Sequence, residues 1–128
     1  MDTKKKILVV EDDGALLNVL VDRLSMDKLY RVFKAADGEE AIKQAFEAKP
    51  DLILLDLLLP KVDGFKVLEE IRASQDPQVA GSKVVILSNL WSNKDILKAK
   101  ALKIEEYYVK ANSNLNDIME KIKTLLAD

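Results

Sequence analysis

Short apolar runs alternate with longer amphipathic segments along the whole chain. The runs lie at residues 6–10, 30–35, 52–56, 83–88 and 106–110. Their length and their branched side chains predict β-strands. Three of them, 6–10, 52–56 and 83–88, are almost wholly apolar, as expected for strands that are covered on both faces. The other two are more mixed, which favours the edges of a sheet.

Between these runs, apolar residues recur at helical spacing. This periodicity predicts five helices, at residues 14–26, 38–48, 64–74, 94–103 and 114–126. Five successive strand–helix pairs predict an α/β fold, in which right-handed crossovers place helices on both faces of a parallel sheet. Because the chain of 128 residues has no long linker, we expect a single domain, residues 1–128.

Two aspartates precede predicted helices. Asp13 and Asp37 are expected to be N-caps, because their carboxylates can accept hydrogen bonds from the first free backbone N–H groups of a helix. In the second predicted helix, the apolar stripe that should face the sheet consists of Ala41, Ile42, Ala45 and Phe46.

Composition limits the chemistry. Hydrophobic residues make up 48% of the chain and charged residues 33%, which is typical of globular proteins. The chain has no histidine and no cysteine, which excludes disulfides, thiol chemistry, histidine phosphocarriers and metal sites of the Cys or His type. A net charge of −2 gives no support to a nucleic-acid surface. No run reaches the length of a signal peptide or membrane span, so a cytoplasmic location is expected.

An aspartate interrupts the most apolar run of the chain. In LILLDLLLP (52–60), Asp56 stands among leucines, where an unpaired carboxylate would be costly. In open α/β sheets, ligands bind beyond the carboxyl ends of the strands. The polar residues at such ends are Glu11, Asp12, Asp56, Ser88 and Lys110. If the first and third strands are neighbours, the three carboxylates of this set would lie together.

A cluster of this kind favours phosphoryl chemistry. Three carboxylates within about 5 Å repel by roughly 3 kcal/mol per pair at an effective dielectric near 20. Without His or Cys, their oxygens favour Mg²⁺ as the relieving cation. With the Lys110 ammonium and the Ser88 hydroxyl, the site would hold phosphoryl oxygens from several sides. Asp56 is therefore predicted to be a nucleophile that forms an acyl phosphate.

These motifs together resemble the response-regulator receiver domains of two-component signalling, including chemotaxis regulators. ILVVEDD, PDLILLDLLLPKVDG, VVILSN and YYVKA carry the resemblance, which covers essentially the whole chain. It implies a (βα)5 flavodoxin-like fold with a doubly wound parallel sheet of strand order 2-1-3-4-5. It also implies phosphorylation of Asp56 by a sensor histidine kinase, a phosphotransfer protein or a small phosphodonor. Such a domain is not an enzyme beyond its own phosphorylation and slow dephosphorylation.

The resemblance further implies a role for each site residue. Asp12 would bind Mg²⁺ directly and Glu11 through water, together with Asp56 and the backbone carbonyl of Leu58. Ser88 and Lys110 would contact the phosphoryl group.

A conformational switch is implied as well. Phosphorylation would draw the hydroxyl of Ser88 inward, and Tyr107 would move into the vacated space. The face formed by the fourth predicted helix, the fifth strand and the fifth predicted helix would then change its affinity for a downstream protein. The sequence leaves open the identity of that protein, dimerisation on phosphorylation, and removal of a following effector domain.

The chain departs from the family pattern at several positions. Ala111 follows Lys110, where proline is usual, and Asn89 follows Ser88, where alanine or glycine is usual. Leu58 and Leu90 occupy the two positions that tune phosphoryl hydrolysis in the family. Because neither side chain can orient a water molecule, we expect a long-lived phosphoryl group.

Three other functions match the sequence less well. A pseudo-receiver, acting as a phosphorylation-independent interaction module, predicts loss of an acidic residue or the lysine, and none is lost. Phosphatases with an aspartyl nucleophile carry that aspartate at the end of the first strand and need a second aspartate two residues after it. At these two positions the chain has Glu11 and Asp13. A flavodoxin would need a Ser/Thr/Gly-rich phosphate loop after the first strand, and this loop is missing.

Overall fold

Five parallel strands form the centre of the computed structural model, which describes residues 4–127. The strands are β1 (Lys5–Val10), β2 (Tyr30–Ala35), β3 (Leu52–Leu55), β4 (Lys83–Ser88) and β5 (Glu106–Val109). Their order in the sheet is β2-β1-β3-β4-β5, which confirms the expected fold. The order of the strands reverses between β1 and β3, where open α/β sheets bind ligands. The predicted domain bounds, residues 1 and 128, lie outside the described residues.

Helices cover both faces of this sheet. They are α1 (Gly14–Ser25), α2 (Gly38–Ala48), α3 (Gly64–Arg72), α4 (Pro77–Ala80), α5 (Asn93–Ala101) and α6 (Leu115–Leu126). The five predicted helices are present, with ends that differ from the prediction by two residues or fewer. The short α4 and a 3-10 helix at Lys110–Asn112 were not predicted. Within residues 4–127, no helix combines the length and apolarity needed to span a membrane.

The core consists of two apolar layers, one on each face of the sheet. Along β1, Ile7 and Val9 enter the layer beneath α1 and α6, whereas Leu8 and Val10 enter the layer beneath α2, α3 and α5. All four side chains are at most 2% exposed. Burial on both faces explains why the central strands are continuous apolar runs without a polar alternation.

One predicted core position is wrong. Phe46 in α2 is 41% exposed, whereas Ala41 and Ala45 of the same helix are fully buried. The two alanines lie at the centre of the buried face, and Phe46 lies about 100° further round the helix than Ala45. The sheet therefore receives the two small side chains, which lets α2 approach it closely.

The first three long helices begin with the same dipeptide, Asp-Gly. The aspartates are N-caps: Asp13 accepts hydrogen bonds from the backbone N–H groups of residues 15 and 16, Asp37 from that of residue 40, and Asp63 from that of residue 66. The N-cap predictions for Asp13 and Asp37 are confirmed. The shared motif fixes where each helix starts, and the surroundings of its glycine then differ from helix to helix.

Arg72, the last residue of α3, joins three segments of the chain. Its guanidinium donates hydrogen bonds of 2.7–2.8 Å to the backbone carbonyls of Ala80, Ser82, Leu102 and Lys103. Burial lowers the pKa of Arg72. The side chain thus satisfies carbonyls at the ends of α4 and α5, where no helical N–H group is available to them.

We expect the substitution Arg72→Met to lower the free energy of unfolding by roughly 2 kcal/mol, because it leaves these carbonyls without their charged donor. Urea denaturation measures the loss. Arg23→Met is the matched control, since Arg23 donates its hydrogen bond to Asn116 at an exposed site, and its effect should stay within about 0.5 kcal/mol. Equal losses in the two variants would contradict the structural role of Arg72.

Candidate functional site

Three carboxylates meet at the carboxyl ends of β1 and β3. Glu11 and Asp12 follow β1, Asp56 follows β3, and parallel pairing of these neighbouring strands places the residues side by side. One oxygen from each carboxylate lies within 4.8 Å of the other two. Glu11 and Asp56 are only 1% and 3% exposed, whereas Asp12 is exposed. We refer to Glu11, Asp12 and Asp56 as the acidic cluster.

Lys110, which follows β5, bridges the two buried members of the acidic cluster. Its Nζ lies 2.7 Å from Oε1 of Glu11 and 2.7 Å from Oδ2 of Asp56. Burial raises the pKa of Glu11 even though Lys110 is its neighbour. For Lys110, burial favours the neutral amine, but the hydrogen bonds to Asp56 and Glu11 outweigh burial and raise the pKa. Lys110 is therefore a fixed positive charge at physiological pH.

The acidic cluster fits a divalent cation. Three carboxylates and the single ammonium of Lys110 leave two negative charges at this end of the sheet. The available donors are carboxylate oxygens, which match Mg²⁺ and similar hard cations. Exposure of Asp12 leaves one side of the site open to water, and Mg²⁺ usually retains several water ligands in proteins.

The loop after β3 binds the carboxylate of Asp56 through a backbone N–H group. The backbone N–H of Leu58 donates a 3.0 Å hydrogen bond to Oδ1 of Asp56, so both carboxylate oxygens are engaged. Gly64, at the start of α3, donates from its N–H to the carbonyl of Leu57. A Cβ atom on Gly64 would lie 2.5 Å from the backbone oxygen of Asp56. Sequence reasoning missed this close approach, although the Asp63-Gly64 pair was visible.

Ser88 and Tyr107 meet at the backbone of Leu90, outside the acidic cluster. The hydroxyl of Tyr107 donates a 2.7 Å hydrogen bond to the Leu90 carbonyl. The Leu90 N–H donates to Oγ of Ser88 at 3.3 Å, and Ser88 is fully buried. Within residues 4–127, no hydrogen bond joins either side chain to the acidic cluster. Leu90 is thus a structural link between these two residues that the sequence did not reveal.

The phenol of Tyr107 remains neutral at physiological pH. Burial, followed by the negative charges of Asp95 and Asp56, raises the pKa of Tyr107 to about 12. The hydroxyl can therefore act as a hydrogen-bond donor to Leu90.

The positions that depart from the family pattern border the same site. Asn89 is exposed beside buried Ser88. Ala111 lies within the 3-10 helix at Lys110–Asn112, and the Ser113 hydroxyl donates a 2.6 Å hydrogen bond to the Val109 carbonyl. A short helix thus begins at the bridging lysine itself, in the segment where the sequence has no proline.

A protein-family model described as "Response regulator receiver domain" matches residues 7–123. Among curated proteins, the chain is similar to the probable transcriptional regulator ycf27 of Cyanophora paradoxa, with 37% identity over 123 residues. This match covers 96% of the chain and 48% of the relative. The chain therefore spans about half the length of the curated relatives that it matches.

Solved structures agree with this similarity. A two-component response regulator from Clostridium difficile is 28% identical, with a TM-score of 0.84, and the match covers 96% of each chain. The BeF3-activated N-terminal receiver domain of Klebsiella pneumoniae RstA is 25% identical, with a TM-score of 0.80. The match covers 97% of this chain and 100% of that one.

Proposed function

This chain belongs to the response regulator receiver domain family, and we propose that it acts as a switch controlled by phosphorylation of Asp56. Receiver domains are signalling modules, and the relatives found are transcriptional regulators. One observation carries the proposal: Asp56 lies at the strand switch point with two further carboxylates and a lysine that contacts it at 2.7 Å. An ion pair with a purely structural role would need only Lys110 and Asp56. It would not require the carboxylates of Glu11 and Asp12 beside them.

In the proposed reaction, a carboxylate oxygen of Asp56 attacks the phosphorus atom of a phosphohistidine or a small acyl phosphate. The new P–O bond forms as the bond to the donor breaks, and the donor leaves with the electron pair. Glu11, Asp12, Asp56 and the carbonyl of Leu58 would hold Mg²⁺, whose chemistry here is neutralisation of charge on the phosphoryl oxygens. Lys110 already contacts Asp56 and would donate to the same oxygens.

The proposed switch starts at Ser88. Its Oγ accepts a hydrogen bond from the Leu90 N–H, which leaves the hydroxyl proton available for a phosphoryl oxygen. If Ser88 moves towards phosphorylated Asp56, the backbone of Leu90 is drawn with it. Tyr107 donates to the carbonyl of Leu90 and must adjust as well. This chain of contacts gives phosphorylation a route to β5 and to the neighbouring α5 and α6.

The proposed partners follow from this route. A sensor histidine kinase or a phosphotransfer protein would donate the phosphoryl group. A downstream protein, or a second copy of the chain, would bind the face formed by α5, β5 and α6 according to the state of Asp56. The transcriptional regulators among the relatives support an output that reaches gene expression.

Beryllium trifluoride, the activating group of the RstA structure, provides a test of the switch. With Mg²⁺ present, we expect it to change amide hydrogen exchange at residues 88–91 and in β5 of the wild type. Asp56→Asn should abolish the response. Asp51→Asn is the control, because Asp51 lies at the opposite end of β3 and accepts from the Lys6 N–H. A wild type that does not respond, or an Asp56→Asn variant that does, would refute the proposed switch.

The phosphoryl group should be long-lived, because both residues predicted to tune its hydrolysis are leucines. Leu58 is 50% exposed and Leu90 is half-buried. After rapid removal of the donor, intact mass against time should show the phosphorylated form persisting for many minutes, and Leu90→Glu should shorten its lifetime several-fold. A wild-type half-life of seconds would contradict this expectation.

A further inference from the structure

We propose that the first turn of α2, Asp37 and Gly38, is a positioning element for the metal and phosphorylation site. It acts by holding the tip of the loop between β3 and α3, residues 56–63. This inference rests on the proposed function, since it concerns the same site. Within residues 4–127, no hydrogen bond or ion pair joins either residue to the acidic cluster, so their effect is transmitted through the loop.

The loop is closed at its base beside Asp56. The N–H of Gly64 donates a 2.9 Å hydrogen bond to the Leu57 carbonyl, and the N–H of Leu58 donates to the Asp56 carboxylate. Leu58, whose carbonyl is the expected third ligand of Mg²⁺, is thus the first residue beyond the closed base. Its position depends on the course that the chain then takes towards the tip.

The tip of the loop is a strained three-residue turn. The N–H of Val62 donates to the carbonyl of Pro60 at 2.8 Å, and Lys61 between them has a φ of 68°. A lysine in this left-handed region is uncommon and unfavourable, so the surroundings must hold it there. The surroundings that do so belong to α2.

Two contacts from α2 secure the tip. The N–H of Gly38 donates a second hydrogen bond, of 3.2 Å, to the carbonyl of Pro60. The carboxylate of Asp37 pairs with the ammonium of Lys61 at 3.5 Å. Both residues of the Asp-Gly pair that begins α2 therefore bind the turn, in addition to starting the helix.

The contact is possible only because residue 38 has no side chain. A Cβ atom on Gly38 would overlap the carbonyl oxygen of Val62 and lie 2.6 Å from its carbonyl carbon. Backbone atoms cannot swing aside as a flexible side chain can, so an alanine here must push the tip away from α2. A Cβ atom on Gly14, which follows the same aspartate motif in α1, would meet no described atom within 4 Å beyond its chain neighbours and the backbone of its own helix.

This difference provides a matched pair of variants, Gly38→Ala and Gly14→Ala. Mg²⁺ affinity is measured by competition with Mn²⁺, whose free form is detected by electron paramagnetic resonance, at a temperature where both variants are folded by circular dichroism. We expect Gly38→Ala to weaken Mg²⁺ binding at least about tenfold, which is the usual effect of mutating a residue that orients a metal ligand without binding the metal. Gly14→Ala should change the affinity less than about twofold. A merely structural role would lower the unfolding temperature of Gly38→Ala and leave its affinity unchanged.

A second matched pair avoids the steric overlap. Lys61→Gly removes the ion pair. Glycine adopts the left-handed conformation without strain, and it also allows the turn to adopt other conformations. Lys49→Gly is its control, because Lys49 also has a left-handed φ of 51° and also pairs with an aspartate, Asp76, at 2.9 Å. Lys61→Gly should weaken Mg²⁺ binding and slow phosphorylation at limiting Mg²⁺, and Lys49→Gly should do neither.

If Gly38→Ala folds, its Mg²⁺ affinity and phosphorylation rate test the positioning role. If it does not fold, Lys61→Gly is the deciding variant. Wild-type affinity and phosphorylation rate in the deciding variant would overturn the positioning role, while the proposed function would stand. Wild-type protein and Gly14→Ala report on the proposed function itself. If these two proteins fail both to bind Mg²⁺ and to accept a phosphoryl group, the proposed function fails, and the inference fails with it.

Discussion

Replacing Lys110 with methionine is expected to lower the free energy of unfolding by roughly 3–5 kcal/mol in the absence of Mg²⁺, the usual cost of breaking a buried ion pair. Methionine keeps the length of the lysine's aliphatic stem and removes the ammonium. Glu11 and Asp56, which are only 1% and 3% exposed, would then face each other as carboxylates without their shared counter-charge. Mg²⁺ should restore part of the loss, because a bound cation supplies positive charge to the same oxygens.

The pH dependence of the wild type provides an independent check on Lys110. Because its pKa is raised in the folded state, its stabilising effect is complete below the unfolded pKa near 10.5 and is lost as the pH rises through the higher folded value. Lys110→Met should lose less stability than the wild type over this pH range, while the loss that comes from the raised pKa of Tyr107 remains in both proteins. Urea denaturation at several pH values measures both effects.

Lys121→Met is the control for Lys110→Met. Lys121 pairs with Glu106 at 3.8 Å, and both side chains are more than a third exposed. Such surface pairs contribute about 0–1 kcal/mol. If Lys110→Met were no more destabilising than this control, the bridge between Glu11 and Asp56 would not be a stabilising contact.

Gly64→Ala is expected to cost about 2–3 kcal/mol of stability, at the upper end for overpacking, because the neighbours are backbone atoms. The new methyl group would lie 2.5 Å from the Asp56 carbonyl oxygen and from Cα of Leu57. The segment that carries Asp56 must shift, and we therefore also expect slower phosphorylation at equal protein and Mg²⁺ concentrations.

Denaturation and timed intact-mass measurements give the two readouts for Gly64→Ala. Gly14→Ala begins a helix after the same aspartate cap and has free space around its Cβ, so it should be neutral or slightly stabilising. A Gly64→Ala protein as stable and as reactive as Gly14→Ala would show that the close approach is unimportant.

The fold could be predicted because its signals are local. Strands that are buried on both faces must be apolar throughout, and aspartate caps fix the helix starts, so both appear directly in the sequence. The missed α4 has its own local signals, the cap Asp76 and Pro77 in its first turn, but it is too short to show a periodicity. Phe46 was misplaced because periodicity identifies a face and does not say how wide the contact is.

The acidic cluster could be predicted for a geometric reason. The carboxyl ends of parallel strands share one edge of the sheet, so polar residues at those ends converge wherever the strands are neighbours. The sequence could not show that Lys110 bridges Glu11 as well as Asp56, because this depends on the path of a long side chain.

The parts of the site that were not predicted depend on contacts between distant segments. The three Asp-Gly pairs look alike in the sequence, yet Gly14 is free, Gly38 adjoins Val62 and Gly64 adjoins Asp56. Leu90 could not be identified as a link, because its backbone, which every residue shares, makes the contacts to Ser88 and Tyr107.

The most direct test is the intact mass of the protein after incubation with acetyl phosphate and Mg²⁺, for the wild type and for Asp56→Ala. The wild type should gain one phosphoryl group, a chelator should prevent the gain, and Asp56→Ala should gain none. An equal gain in Asp56→Ala would place the acceptor elsewhere. No gain in folded wild type, with acetyl phosphate and then with a phosphorylated histidine kinase, would contradict phosphorylation of Asp56 and favour a phosphorylation-independent interaction module.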